Sequence, residues 1–181
     1  TTLWCYENSL DSINVSNNFR LKTLLCYNNA IADLNVSQNS ELKELRCDNN
    51  QLSVLDISNN EALEYLSCGS NQLTALEVSQ NTELEKLFCY LNEITDLDLS
   101  ENSNLNTLDC WGNQLVCLNL KNGNNADIQL FYAKKNPGLT CIKVDDATWV
   151  ENNWNDENYF KLDSLVSFNE NCTGSCVSTG I

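Results

Sequence analysis

The chain has 181 residues, 42% of them hydrophobic, and carries 25 acidic against 10 basic side chains, a formal charge of −15. That is enough apolar content for one folded domain or one elongated array, and so acidic a surface disfavours phosphate backbones and anionic lipid as partners. The chain has no histidine, which removes the commonest general base and neutral metal ligand, and no apolar run of about 18 residues that would insert in a membrane.

The chain opens at Thr1-Thr2-Leu3-Trp4-Cys5, already inside a repeat, and reads as a mature product or a fragment without a signal peptide. Cys5, Cys26, Cys47, Cys68, Cys89 and Cys110 follow one another at a period of 21 residues. A fixed period of this size means a solenoid or array. Two residues before each cysteine stands a leucine, from Leu3 to Leu108; three after stands an asparagine, from Asn8 to Asn113. The second half of each coil begins at Ile13, Leu34, Leu55, Leu76, Leu97 and Leu118, followed two later by Val15, Val36, Ile57, Val78, Leu99 and Leu120. Ser16, Ser37, Ser58, Ser79 and Ser100 come next, then Asn18, Asn39, Asn60, Asn81 and Asn102. Apolar residues alternate in each half, as in Leu45-Arg46-Cys47, which is the signature of a strand buried on one face. Parallel strands are expected on the cysteine side, with shorter ones on the Val-Ser side. With only six glycines and one proline, the two asparagine columns are expected to do most of the turning, because asparagine tolerates left-handed backbone and bonds nearby peptide groups. A seventh, shifted coil uses Ile128, Phe131, Ala133, Asn136, Leu139, Ile142 and Val144, with Ala133 in place of the cysteine.

Written as L-x-x-L-x-C-x-x-N-x-L-x-x-L-x-V-S-x-N-x-x, the coil resembles the leucine-rich-repeat family, and its shortness resembles the bacterial repeats of Bacteroidetes surface proteins. The match runs from residue 3 to about 144. It implies an α/β-type leucine-rich-repeat solenoid, mostly strand and loop, of seven coils over residues 1–144. The segment Asn136-Pro137-Gly138-Leu139-Thr140-Cys141 and the later Trp149, Trp154 and Phe168 resemble the closing repeat of those proteins. That resemblance implies a C-terminal cap over residues 145–181, with Cys141–Cys172 as its disulfide and an extracellular or cell-surface location. Cys117, in the column that Cys141 occupies one coil later, is a rival partner; Cys176 is either unpaired or closes a small loop with Cys172. The periodic cysteines read as small apolar fillers of the inner strand position. A linear column in hydrocarbon suits neither zinc nor disulfide geometry, so no metal and no cofactor is expected.

Function is expected on the outward positions of the cysteine-bearing strands. Eight of the ten aromatics in the repeats fall there: Trp4, Tyr6, Tyr27, Tyr65, Phe88, Tyr90, Trp111 and Tyr132. The opposite side has Asn14, Asn35, Asp56, Glu77, Asp98 and Asn119 in the equivalent column. Clustered exposed aromatics mark interaction surfaces, against the plainer alternative that they stabilise a sheet. The small, polar stretch Arg46, Asp48, Ser67 and Gly69 divides them, and the group Phe88, Tyr90, Trp111 and Tyr132 is the best candidate site. The expected function is therefore non-catalytic binding of a protein or a glycan. Glu44, Asp48 and Asp109 share the face, but no sheltered pair of acids and no nucleophile–base pair is evident. A spacer or adhesin segment of a larger surface protein is the alternative. Ice binding by the serine column and calcium at Asp96-Asp98 or Asp145-Asp146 have weaker support.

Overall fold

A computed structural model describes residues 1–172. Its strands, in chain order, are β1 (Thr2–Trp4), β2 (Thr23–Leu25), β3 (Glu44–Arg46), β4 (Tyr65–Ser67), β5 (Lys86–Phe88), β6 (Asp96–Asp98), β7 (Thr107–Asp109), β8 (Cys117–Asn119), β9 (Leu130–Tyr132), β10 (Cys141–Lys143), β11 (Phe160–Lys161) and β12 (Ser167–Asn169). The chain winds as a solenoid of about seven turns. One parallel sheet runs β1-β2-β3-β4-β5-β7-β9-β11, and a second, β12-β10-β8-β6, lies on the opposite side. Identical columns stack in register: Leu24 pairs with Leu45, Leu45 with Leu66, and Leu108 with Phe131. Leu24, Leu45, Leu66, Leu87, Leu108 and Phe131 are fully buried. Each coil thus supplies its neighbour with the apolar wall that a lone coil lacks.

The second sheet begins only at β6. In the earlier coils the Val-Ser side forms no strands, and a single backbone bond, such as Gln51 N–H to Ile31 O or Gln72 N–H to Leu52 O, links neighbours there. The turning also differs from expectation. Among the described residues, Glu7, Asn28, Asn49, Ser70, Leu91, Gly112 and Lys135 are left-handed, one position before the first asparagine column, and Gly123 is left-handed apart from it. The column asparagines work instead as internal struts. Asn50 Nδ2 donates to the carbonyls of Cys26 and Cys47, while its Oδ1 accepts from Ile31 N–H. The second column ties coils through its donors alone: Asn60 Nδ2 donates to Val36 O and Asn39 O, while its buried Oδ1 accepts no bond among the described residues. A buried amide that ties three or four peptide groups satisfies the polar backbone of a sharp corner that water does not reach.

Beyond residue 144 the chain adds one more strand to each sheet. Phe160 pairs with Phe131, and Phe168 with Ile142. Between Val144 and β11 lies α1 (Ala147–Asn153), capped by the Asp146 carboxylate, which accepts from Trp149 N–H. Val150 of this helix and Trp154 at its end are buried. The Trp154 ring stacks on Phe160 and meets Phe131 and Phe168 edge-on, at centroid distances of 5.4, 5.4 and 5.7 Å. It closes the core at this end. Cys141 and Cys172 form a disulfide, and Cys117 is disulfide-bonded as well, so neither the Cys117–Cys141 pair nor a Cys172–Cys176 loop exists. Cys176 itself lies outside the described residues.

The six periodic cysteines are free thiols, buried from Cys26 to Cys110 and half-buried at Cys5. Burial pushes the thiols of Cys26 and Cys68 up to about 12 and holds Cys47, Cys89 and Cys110 high as well. A thiol so held is neither a nucleophile nor a metal ligand. Among the described residues no group of acids and cysteines is arranged to hold a metal ion. Asp145 and Asp98 are occupied by the backbone N–H groups of Gly123 and Ser100.

Candidate functional site

The long sheet presents all eight outward aromatics on one surface. Their rings are turned against each other or against cations. Tyr6 and Tyr27 stack with centroids 4.6 Å apart and planes 5° from parallel. Tyr65 stacks on Phe88 at 5.3 Å, and its other neighbour is the Arg46 guanidinium, 4.4 Å from the ring centre. Lys135 Nζ sits 4.5 Å over the Trp111 ring, and Lys161 Nζ 4.5 Å over Tyr132. The Tyr132 hydroxyl donates to Asn158 O. Trp4 is the exposed exception, 67% accessible. Neighbouring strands about 4.8 Å apart bring side chains of adjacent coils to stacking distance without any further device.

Phe88, Tyr90, Trp111 and Tyr132 come from adjacent strands but have different neighbours. Phe88 and Tyr90 lean back over coil four, whereas Trp111 and Tyr132 each carry a lysine. The concave part of the face lies where the sequence shows a polar interruption. Tyr27, Arg46, Asp48, Tyr65, Ser67, Phe88 and Tyr90 line an open hollow of about 280 Å³. Gly69 makes it possible: a Cβ there would stand 2.6 Å from Cε1 and Cζ of Tyr90, so the missing side chain is the space into which that ring folds. Asp48 is half-buried, and its Oδ1 accepts from the Ser67 hydroxyl at 2.7 Å. Arg46, on the same lining, donates from Nε to Glu44 Oε1 at 2.7 Å. Burial raises the phenols of Tyr65, Tyr90 and Tyr27 above their ordinary range; the Arg46 cation opposes this at Tyr65 and Tyr27, and the negative charge of Asp48 adds to it in all three. Asp109 is held up by burial against the N–H bond it accepts from Trp111. A broader concavity of about 490 Å³ adjoins at the strand starts, lined by alternating charges including Lys43, Glu64, Glu85 and Lys86, of which Lys43 and Glu64 form an ion pair.

Asp48, Ser67 and Gly69 shape the hollow, and periodicity hides them. A residue that breaks an aromatic column looks like a gap until the lean of its neighbours is known. Three acids on the face are each engaged separately: Glu44 by Arg46, Asp48 by Ser67 and Asp109 by the Trp111 N–H.

Stacked short parallel strands, a 21-residue period and two hydrogen-bonded asparagine columns define a leucine-rich-repeat solenoid, and the short bacterial type fits it. No protein-family model matches the chain, and no curated protein is a match. Among solved structures, the functional domain of InlJ from Listeria monocytogenes, described as including a cysteine ladder, is 29% identical with a TM-score of 0.72, over 93% of this chain and 38% of that one. An internalin of Listeria monocytogenes is 29% identical with a TM-score of 0.58, over 63% of this chain and 35% of its own. A leucine-rich-repeat protein of Leptospira interrogans, 20% identical, matches in fold at a TM-score of 0.59 over 78% of this chain and 37% of that one. The chain therefore spans little more than a third of the length of these proteins. Its fold is that of a protein-interaction module, and among the described residues no helix is long and apolar enough to cross a membrane.

Proposed function

We propose that the chain is a non-catalytic extracellular binding module that engages a protein through the outward face of its long sheet. The observation that carries this reading is the confinement of eight of ten repeat aromatics to that face, six of them already set against a ring or a cation. Tyr6, Tyr27, Tyr65, Phe88, Trp111 and Tyr132 each have a stacked ring or a cation on the plane. What they offer a partner is edges, hydroxyls and flanking charge, the mixture found at protein interfaces. Sugar recognition needs a bare ring plane, and the exposed Trp4 favours that second reading. The Cys141–Cys172 disulfide supports an oxidising compartment. On the same reading residues 1–144 are the binding array and residues 145–181 close it.

The test is a binding screen of the whole chain against a panel of extracellular proteins and a glycan array. It compares wild type with a face variant (Tyr27→Ser, Phe88→Ser, Trp111→Ser) and an opposite-side variant (Asp56→Asn, Asp98→Asn). Protein hits lost in the face variant and kept in the opposite-side variant are expected. Hits that survive the face variant, or glycan hits abolished by Trp4→Ala alone, would overturn the protein reading.

A further inference from the structure

We infer that the hollow around Asp48 is a receptor for one cationic side chain, a lysine ammonium or an arginine guanidinium, presented by a basic protein segment. The inference rests on the sheet-face reading above and names the chemistry of its ligand.

The arrangement is an acid set among aromatic rings, and the one cation on its lining, Arg46, is paired with Glu44. Asp48 lies in the column between Tyr27 and Tyr90, with Tyr65 and Phe88 alongside. Tyr27 is braced from behind by its stack on Tyr6. Tyr90 reaches toward Asp48 because Gly69 leaves its path clear. The nearest base in sequence, Arg46, is committed twice, to the Glu44 carboxylate and to the outer plane of Tyr65. The two ion pairs among the described residues, Lys43–Glu64 and Arg46–Glu44, leave Asp48 out. Its bond from Ser67 fixes one carboxylate oxygen and leaves the negative charge unneutralised.

A cation entering this space meets three favourable partners at once: the carboxylate, the Tyr90 ring, and the phenol oxygens of Tyr27, Tyr65 and Tyr90 as acceptors. Low-dielectric walls strengthen the first of these relative to open water. A neutral group would gain only contact area, and an anion would be repelled. The hollow, about 280 Å³, is of side-chain size, smaller than the roughly 300–1,000 Å³ clefts that hold drug-sized ligands. A chain with a formal charge of −15 steers a basic partner toward itself from a distance, and the hollow gives that attraction a fixed endpoint.

The test is an NMR titration of the full chain with the peptide acetyl-Gly-Lys-Gly-amide, its Arg counterpart, and the same peptide with Nζ-acetyl-lysine. Saturable shifts confined to Ser67, Gly69, Tyr65 and Tyr90 are expected with the Lys and Arg peptides. Binding should be weaker by about tenfold or more for the acetylated peptide and for Asp48→Asn. Asp56→Asn, the same charge change on the opposite side, should leave it unaltered. Gly69→Ala, which keeps every charge but displaces the Tyr90 ring, should weaken it as well. Equal binding by Asp48→Asn or by the acetylated peptide, or shifts spread over the acidic surface, would overturn the inference. If the Phe88 and Trp111 replacements abolish a protein partner while Asp48→Asn does not, the face reading stands and the cation receptor falls.

Discussion

Alkali should unfold this protein through its thiol column. In the native state burial keeps Cys26, Cys47, Cys68, Cys89 and Cys110 protonated, Cys26 and Cys68 up to about 12, against 9.0 for an exposed thiol. Above pH 9 the unfolded chain has released these protons and the native chain has not, so the unfolded state binds fewer protons and stability falls as pH rises. The contribution is whole below pH 9 and is lost between about 9 and 12. One pH unit above the unfolded value, each buried thiol favours unfolding by somewhat over 1 kcal/mol, so the five together remove on the order of 7 kcal/mol at pH 10. That is comparable to the whole net stability of a typical domain, about 5–15 kcal/mol. Urea unfolding followed by far-UV circular dichroism at pH 7, 8, 9 and 10, with short incubations that spare the disulfides, reads the effect. The midpoint should hold between pH 7 and 8, drop at 9 and collapse at 10. The Cys47→Ala, Cys89→Ala variant starts less stable because of its two cavities, yet should lose only about three-fifths as much between pH 8 and 10. A midpoint unchanged from pH 8 to 10, or an equal decline in the variant, would refute the reasoning.

Asn92 accepts from Leu73 N–H and donates to the carbonyls of Cys68 and Cys89. Asn92→Ala should therefore cost about 3 kcal/mol in urea unfolding and lower the melting temperature by roughly 6–12 °C. Asn104→Ala, which loses one exposed bond to Thr82 O, should stay within about 0.5 kcal/mol. Trp154→Ala should cost about 3–5 kcal/mol and speed proteolysis of the chain after Val144 before that of the repeats; uniform cleavage along the chain would contradict its role at the end of the core. Site-resolved thiol labelling at pH 8 should find Cys5 slowly reactive and Cys26 to Cys110 silent until urea is added, and native labelling of Cys68 within minutes would contradict its burial.

The fold was legible because its inner columns repeat. Leu24, Leu45 and Leu66 occupy one place in space, so a period in sequence is a stack in structure. What the columns do not encode was missed. Phe160 and Phe168 extend both sheets past Val144, but α1 intervenes and no 21-residue spacing announces them. The turning residue was missed by one position for a different reason. Asn28 and Asn49 share their left-handed place with Glu7, Ser70 and Leu91, so composition there carries no signal. The invariant neighbours Asn29, Asn50 and Asn71 attract notice instead, because only an asparagine amide spans a carbonyl of its own coil, a carbonyl of the coil before and a peptide N–H at once.

The face was legible only as far as alternation goes. Period 2 assigns Trp4 to Tyr132 to the outside, but it does not say that stacking consumes their planes or that Lys135 and Lys161 come from later turns to cover two of them. The interruption at Asp48 and Gly69 is the sharper case. In a regular stack each outward side chain leans on its neighbour one coil away, as Tyr6 does on Tyr27, and the surface stays flat. Remove one side chain, at Gly69, and the next ring in the column folds inward, bringing Tyr90 toward an acid that would otherwise stand apart from it. A concavity on a solenoid therefore comes from a defect in an outward column, while the inward columns stay intact: Leu45, Leu66, Cys47 and Cys68 beneath the hollow are fully buried. The shape of this face is for that reason adjustable at small cost in stability. Gly69→Ala should abolish the lean of Tyr90 while leaving the unfolding free energy within about 1 kcal/mol, the range of a mild change outside the core. A larger loss would show that Tyr90 over Gly69 supports the fold and not only the surface.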